Sequence, residues 1–259
     1  MKRLIVTLFA LACATVGAAA TVTENIDRTF DVRPGATLKL SNVNGRITIG
    51  SWDQPRVRVV ATKKAEGDKD VLADYMKALR VDFQQRNGGL TVTTIQPKND
   101  GITSMIDWFM GQHVNGQVSY TVTVPRNMNV DVENTNGAIA LSDVTGMLEL
   151  GTTNGRIEVA RCGGSLKAAT TNGAISAELV RVTKGQPLLL ATTNGRIRIA
   201  VPADFAGEID ADTTNGAITT DFPVTTSRTD RNSLRGTVNG GGTELRARTT
   251  NGAIEIRKL

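Results

Sequence analysis

The chain has 259 residues, with 30 lysines and arginines against 25 acidic side chains, a formal charge of +5, and only 4% aromatic residues. The basic residues are scattered, and with no basic and aromatic patch they exclude a surface that tracks phosphates and stacks bases, so no nucleic-acid partner is expected. Two cysteines and a single histidine, His113, do not supply the ligand set of a zinc site, so no metal and no cofactor is expected.

The chain begins with Lys2 and Arg3, an apolar run from Leu4 to Val16, and Gly17-Ala18-Ala19-Ala20. These are the three zones of a secretory signal, and they predict a leader over 1–20. Lipidation at Cys13 is the alternative, although Ala10-Leu11-Ala12 puts Ala where a lipobox usually has Leu. Cleavage after Ala20 leaves 239 residues and, without Lys2 and Arg3, a formal charge of +3. That length suits a single domain over 21–259. The mature part holds no apolar run near the roughly 18 residues a membrane span needs. The expectation is an exported protein that is periplasmic, surface-held or secreted. Only Cys162 remains after cleavage, so stability must come from packing and the backbone ladder rather than a disulfide. Its neighbours Gly163 and Gly164 suggest a turn, and the thiol reads as an inert small residue.

Residues 21–126 are the less regular part. Leu38, Leu40, Ile47, Ile49, Val57, Val59, Leu90, Val92, Val118, Tyr120, Val122 and Val124 mark alternating strands. Between them, Val71, Leu72, Tyr75, Met76 and Leu79 fall at helical spacing, with Asp68 or Asp70 as a cap. This predicts one amphipathic helix on the side or end of the strand array, where it would shield an open edge. The insertion from Pro97 to Gly116 gathers Ile102, Met105, Ile106, Trp108, Phe109 and Met110, the densest apolar cluster outside the strands. Folded back, it is a cover. Exposed, it offers Trp108 and Phe109 as a partner or membrane contact.

Residues 127–259 carry the regular array. An Asn-Gly pair followed by one residue and then Ile occurs at Asn44, Asn136, Asn154, Asn172, Asn194, Asn215 and Asn251, and the five copies from Asn136 are 18, 18, 22 and 21 residues apart. Before the Asn, apolar and variable positions alternate, as in Leu148-Glu149-Leu150-Gly151-Thr152-Thr153; after the Gly they alternate again, as in Arg156-Ile157-Glu158-Val159. Each unit therefore offers two short strands with one buried face, joined at Asn-Gly. A meander of hairpins accounts for Asn-Gly. A β-solenoid also accounts for the Thr-Thr before it in five copies, because stacked equivalent residues can bond their copies above and below. In that reading Asn136, Asn154, Asn172, Asn194, Asn215 and Asn251 form a structural ladder, and Gly supplies a positive φ at the corner. The fold class is all-β, a solenoid of about 18–22 residues per coil, with insertions in the variable second corner.

These repeats, the leader, the Tyr120-Thr121-Val122-Thr123-Val124-Pro125 segment and the closing Gly236-Thr237-Val238-Asn239-Gly240-Gly241-Gly242 resemble the putative-adhesin β-strand-repeat family, relatives of the autotransporter adhesin-head (GIN) domains. The resemblance covers roughly 32–259 and implies a β-helical bacterial envelope protein. It carries no catalytic residues over to this chain.

Two surface patterns bear on function. Asp210 and Asp212, two apart on one strand, share a face, which could suit a polysaccharide-active enzyme. The same positions elsewhere hold Glu149 and Gly151, Lys167 and Ala169, or Arg246 and Arg248, the variation of a solvated face. No catalytic residue is assigned, and the chain reads as a non-enzyme. The residue after Asn-Gly alternates Ala138, Arg156, Ala174, Arg196, Ala217, with Arg46 in the first copy and Ala253 in the last. Alternation relieves repulsion between stacked arginines. It also makes Arg156 and Arg196 candidate binding residues in a spaced cationic row for a glycan or other anionic polymer. The sequence thus points to an adhesin-like or binding scaffold whose partner is a glycan, an anionic polymer or another envelope protein.

Overall fold

The computed structural model describes residues 20–67, 69–97 and 114–259. Residues 1–19, on which the expected leader and Cys13 fall, the cap candidate Asp68, and segment 98–113 with Trp108, Phe109 and His113 lie outside the described residues. Among the described residues the fold is all-β with one helix. In chain order its first part holds β1 (Ala20–Asp31), β2 (Thr37–Ser41), β3 (Ile47–Trp52), β4 (Arg56–Gly67), α1 (Lys69–Ala78), β5 (Arg80–Arg86), β6 (Gly89–Ile95) and β7 (Asn115–Pro125). Then come β8 (Asn129–Asn136), β9 (Ile139–Ser142), β10 (Thr145–Asn154), β11 (Ile157–Asn172), β12 (Ile175–Arg181), β13 (Leu188–Asn194) and β14 (Ile197–Val201). The last part holds β15 (Gly207–Asn215), β16 (Ile218–Thr220), β17 (Thr225–Asp230), β18 (Ser233–Val238), β19 (Thr243–Asn251) and β20 (Ile254–Lys258).

Strands that lead into an Asn-Gly corner pair in parallel with one another, and so do the strands that leave it. The incoming ladder runs β6, β2, β8, β10, the second half of β11, β13, β19, β15. The outgoing ladder runs β7, β3, β9, the first half of β11, β12, β14, β20, β16. In the two ladders register is kept beside the corners and shifts only after Val159, where β11 meets β12: Leu90, Leu38, Val130, Leu148, Leu166, Leu188, Leu245 and Ile209 form one column. Ile47, Ile139, Ile157, Ile175, Ile197 and Ile254 form another, and the two columns bury the core between the ladders. A slip of one residue would turn every one of these side chains to water, which is why the apolar alternation specifies the register.

The rungs do not follow chain order at either end. The first copy, at Asn44, lies between the β6/β7 rung and the Asn136 copy, and the last, at Asn251, lies between the copies at Asn194 and Asn215. Stacking in sequence order would have put Asn215 next to Asn194. Intercalation pairs the first and last copies on both sides. The outer edges go to antiparallel strands instead: β4 and β1 beyond β7, β5 beyond β6, and β18 and β17 beyond β15. It is these strands, rather than the helix, that cover the end rungs. Helix α1 packs on β4 and β1 through Leu72 and Met76, with Leu79 buried just beyond its end. The buried Lys63 Nζ donates to the Met76 carbonyl (3.0 Å) and to Glu24 Oε2 (2.7 Å), placing a paired cation at the helix C-terminus.

Asn-Gly serves two geometries in this chain. At Asn87-Gly88 both residues have positive φ (52° and 79°), the two-residue turn of the β5–β6 hairpin, and at Asn239-Gly240 (48° and 80°) they make a tight turn closed by Gly241 N–H to the Val238 carbonyl. At the stacked corners only Gly45 and Gly137 have φ in the left-handed range. The expectation that positive φ demands Gly at every corner therefore fails. What demands Gly is proximity: a β-carbon on Gly155, Gly173, Gly195, Gly252 or Gly216 would lie 1.9–2.1 Å from the carbonyl oxygen of the corner Gly beside it.

Candidate binding face

Each corner presents the same groups once per rung, about 4.8 Å apart. The Asn side chains form one continuous chain of amide bonds: Asn136 Nδ2 donates to Asn44 Oδ1 at 2.7 Å, and Asn154, Asn172, Asn194, Asn251 and Asn215 each donate in turn to the preceding Oδ1 at 2.8 Å. All six bonds point the same way, and at the far end Asn44 Nδ2 turns to the Gly116 carbonyl.

The two threonines before Asn divide the work. The first is buried and satisfies a corner carbonyl: Thr170 Oγ1 donates to Gly155 O (2.9 Å), Thr192 to Gly173 O (2.9 Å), Thr249 to Gly195 O (3.0 Å) and Thr213 to Gly252 O (2.9 Å). In the rungs of Asn44 and Asn136, Asn42 and Asn134 replace Thr and donate to Val118 O and Gly45 O. Thr-on-Thr bonding, the sequence expectation, is thus replaced by Thr-to-Gly bonding. The second threonine is exposed, and in stack order Thr135, Thr153, Thr171, Thr193, Thr250 and Thr214 make an unbroken row.

Beside this row the outward position two residues earlier is small in the middle of the stack, at Gly151, Ala169 and Ala191. The result is an open groove of about 490 Å³, floored by those residues and walled by Thr153, Thr171 and Thr193, with Glu133 at one end. The chain belongs to the Toastrack DUF4097 family, which it matches over residues 36–257.

No curated protein matches this Toastrack chain. Among solved structures, it is similar to a putative cell adhesion protein from Clostridium sporogenes, at 10% identity over 91% of this chain and 100% of the other, with a TM-score of 0.47. A putative adhesin from Bacteroides fragilis is 11% identical over 91% and 97% of the two chains, with a TM-score of 0.38. A putative lipid binding protein from Parabacteroides distasonis is 12% identical over 91% and 96%, with a TM-score of 0.24.

On the other side of the Asn ridge the Toastrack stack places Arg46, Arg156 and Arg196 in every second rung, about 10 Å apart, with Ala138 and Ala174 between them. The true rung order preserves this alternation, since Ala253 follows Arg196. The row is partly neutralised. Arg156 Nε lies 2.8 Å from Glu158 Oε1, and Arg196 Nε lies 3.7 Å from Glu255 Oε1, although both arginines remain more than half exposed. Burial alone would raise the Glu255 pKa, but Arg198, Arg257 and Arg196 outweigh it and hold the carboxyl below its ordinary value.

Asp210 and Asp212 stand among arginines. Arg235 reaches Asp210 at 3.0 Å and Asp212 at 3.4 Å, and Arg248 on the adjacent rung reaches Asp210 at 3.1 Å. Burial works to raise the Asp210 pKa, yet Arg248 and Arg235 hold it low. A carboxyl locked as the anion is a poor general acid. Cys162 is buried, and burial raises its thiol pKa, which keeps it unreactive near neutral pH. The alignment of Gly151, Ala169 and Ala191 was visible in the sequence, but only the neighbouring walls show that these residues floor a groove.

Proposed function

We propose that this protein is an exported, non-enzymatic binding scaffold of the bacterial envelope, a β-solenoid that presents one repetitive lateral face to an extended polymer. The observation that carries the reading is the groove of about 490 Å³ along the exposed threonine row. Its chemistry is hydroxyl-rich, with Glu133 the one charged residue of its lining; the threonines repeat every rung, and Arg46, Arg156 and Arg196 border it across the Asn ridge. That suits a glycan with spaced anionic groups, gripped by hydroxyl hydrogen bonds and guanidinium contacts. Trp108 and Phe109 are a second proposed contact, separable by replacing both with Ser: retained stability with lost association marks them as a contact, and lost stability marks them as packing.

The test is retention of the purified mature protein on envelope glycans and anionic polymers, comparing wild type with Thr153→Val/Thr171→Val/Thr193→Val and with Arg156→Ala/Arg196→Ala. Loss of retention in both variants, with unchanged folding, supports the reading; unchanged retention in both sinks it. Protease accessibility on intact cells, with fractionation, separates the two locations. Cleavage means a surface adhesin, and protection in the periplasmic fraction means an internal envelope interaction protein.

A further inference from the structure

The chain contains ten Asn-Gly pairs, the dipeptide in which a side-chain amide is followed by the least hindered backbone nitrogen. The chemistry open to such a pair needs only water. The Gly nitrogen loses its proton to base and attacks the Asn Cγ; the Cγ–Nδ2 bond breaks and ammonia leaves. Water then opens the resulting succinimide at either carbonyl, leaving an aspartyl or isoaspartyl residue. The step needs a free Gly N–H and an Asn side chain able to swing back onto it.

The stack withholds both. At six corners the Gly N–H is bonded to the Asn carbonyl of the next rung: Gly45 to Asn136, Gly137 to Asn154, Gly155 to Asn172, Gly173 to Asn194, Gly195 to Asn251 and Gly252 to Asn215, at 2.9–3.1 Å. The same Asn side chains are held by the amide ladder. Asn215 ends that ladder; its Nδ2 is held by Asn251, but no further parallel rung stands beyond Gly216 among the described residues. The remaining pairs differ again: Asn115-Gly116 opens β7 and is paired with Glu66 and Ala65 of β4, whereas Asn239 and Asn87 lie in tight turns. Asn239 is exposed, though its Nδ2 donates to the Phe205 carbonyl at 2.8 Å. Asn87 is exposed at the tip of the β5–β6 turn, and both it and Gly88 lie outside any ladder.

We propose that Asn87 is the principal site of spontaneous deamidation in the folded protein, followed by Asn239 and then Asn215, and that the ladder shields the six inner Asn-Gly corners from the same reaction. A carboxylate in the inner row would have no donor for the neighbouring Oδ1, and an isoaspartyl linkage would add a backbone atom to a strand held in strict register. The shielding therefore protects the repeated face itself.

The test is peptide mapping of the mature protein aged in mildly alkaline buffer, folded and in denaturant, reading the mass gain of amide-to-acid conversion at each site. In denaturant all sites should convert at comparable rates. In the folded protein the peptide containing Asn87 should convert first, and the inner six should be at least about tenfold slower, the factor that ~1.4 kcal/mol of local opening supplies. Inner corners converting within that factor of Asn87, or an Asn87 that stays intact while the unfolded chain converts, would overturn the proposal. Because the wild-type chain is used throughout, no variant has to fold for the result to be read.

Discussion

Gly173 and Gly155 are stacked so closely that a β-carbon on Gly173 would lie 2.0 Å from the carbonyl oxygen of Gly155. The offending atom is backbone, fixed by the rungs on both sides, so no side chain can move aside. Gly173→Ala is expected to destabilise the protein by about 2–3 kcal/mol, as overpacking against an unyielding neighbour does. Gly151→Ala is the control: its β-carbon would meet nothing nearer than the Val132 carbonyl at 3.9 Å. That change should be neutral or stabilising by up to roughly 1 kcal/mol. Urea unfolding midpoints of the two variants check the contrast.

Thr170 and Thr171 are neighbours of the same type with opposite burdens. Thr170→Val keeps the shape but leaves the partly buried Gly155 carbonyl without its hydroxyl donor, a loss of about 1 kcal/mol. Thr171→Val changes an exposed side chain and should stay within about 0.5 kcal/mol of wild type. Equal losses from the two would contradict the division of roles, and chemical denaturation measures both.

Acid should weaken the fold through Asp210 and Glu255, whose carboxyls the arginines hold below their ordinary values of 3.8 and 4.5. Groups with depressed folded-state pKa values stabilise fully above those ordinary values, and the contribution is lost as pH falls through the depressed ones. The urea midpoint should therefore be level above about pH 5 with respect to these two groups and fall below it. Arg198→Gln removes one of the partners of Glu255 and should make the acid-dependent loss smaller, and complete at a higher pH, without moving its onset. A midpoint that rises on acidification would contradict this.

Cys162 is fully buried, with burial raising its thiol pKa. A bulky maleimide should leave it untouched in the folded protein and label it completely in denaturant, as read by intact mass.

Much of this architecture was legible in the sequence, for reasons that can be named. Ile157, Ile175 and Ile197 sit at a fixed distance from Asn-Gly, so the repeat announces both the strand faces and their register. The helix was visible in the spacing of Leu72 and Met76, whereas its place on β4 and β1 was not, because helical periodicity says which face is buried and not against what. The rung order was hidden for a related reason: the Asn251 copy carries the same local pattern wherever it inserts, and its neighbours Ala191 and Asp212 come from distant parts of the chain. The reason for Gly was hidden too, since φ is a local property and the collision at Gly173 comes from another rung. Arg156 and Arg196 were legible as a row; their partners Glu158 and Glu255 were legible only for the first, two residues away on the same strand.

The Asn-Gly corners stack in the order Asn194, Asn251, Asn215, which creates the continuous face. Cysteine pairs test it directly, because the native thiol is buried. Ala191 and Arg248 are register partners on adjacent rungs, as are Arg248 and Asp212, at about 4.8 Å between strands, within disulfide reach. Ala191 and Asp212 are two rungs apart, at about 10 Å, beyond that reach. Ala191→Cys/Arg248→Cys should cross-link under mild oxidation while Ala191→Cys/Asp212→Cys should not; the reverse result would contradict the intercalated stack.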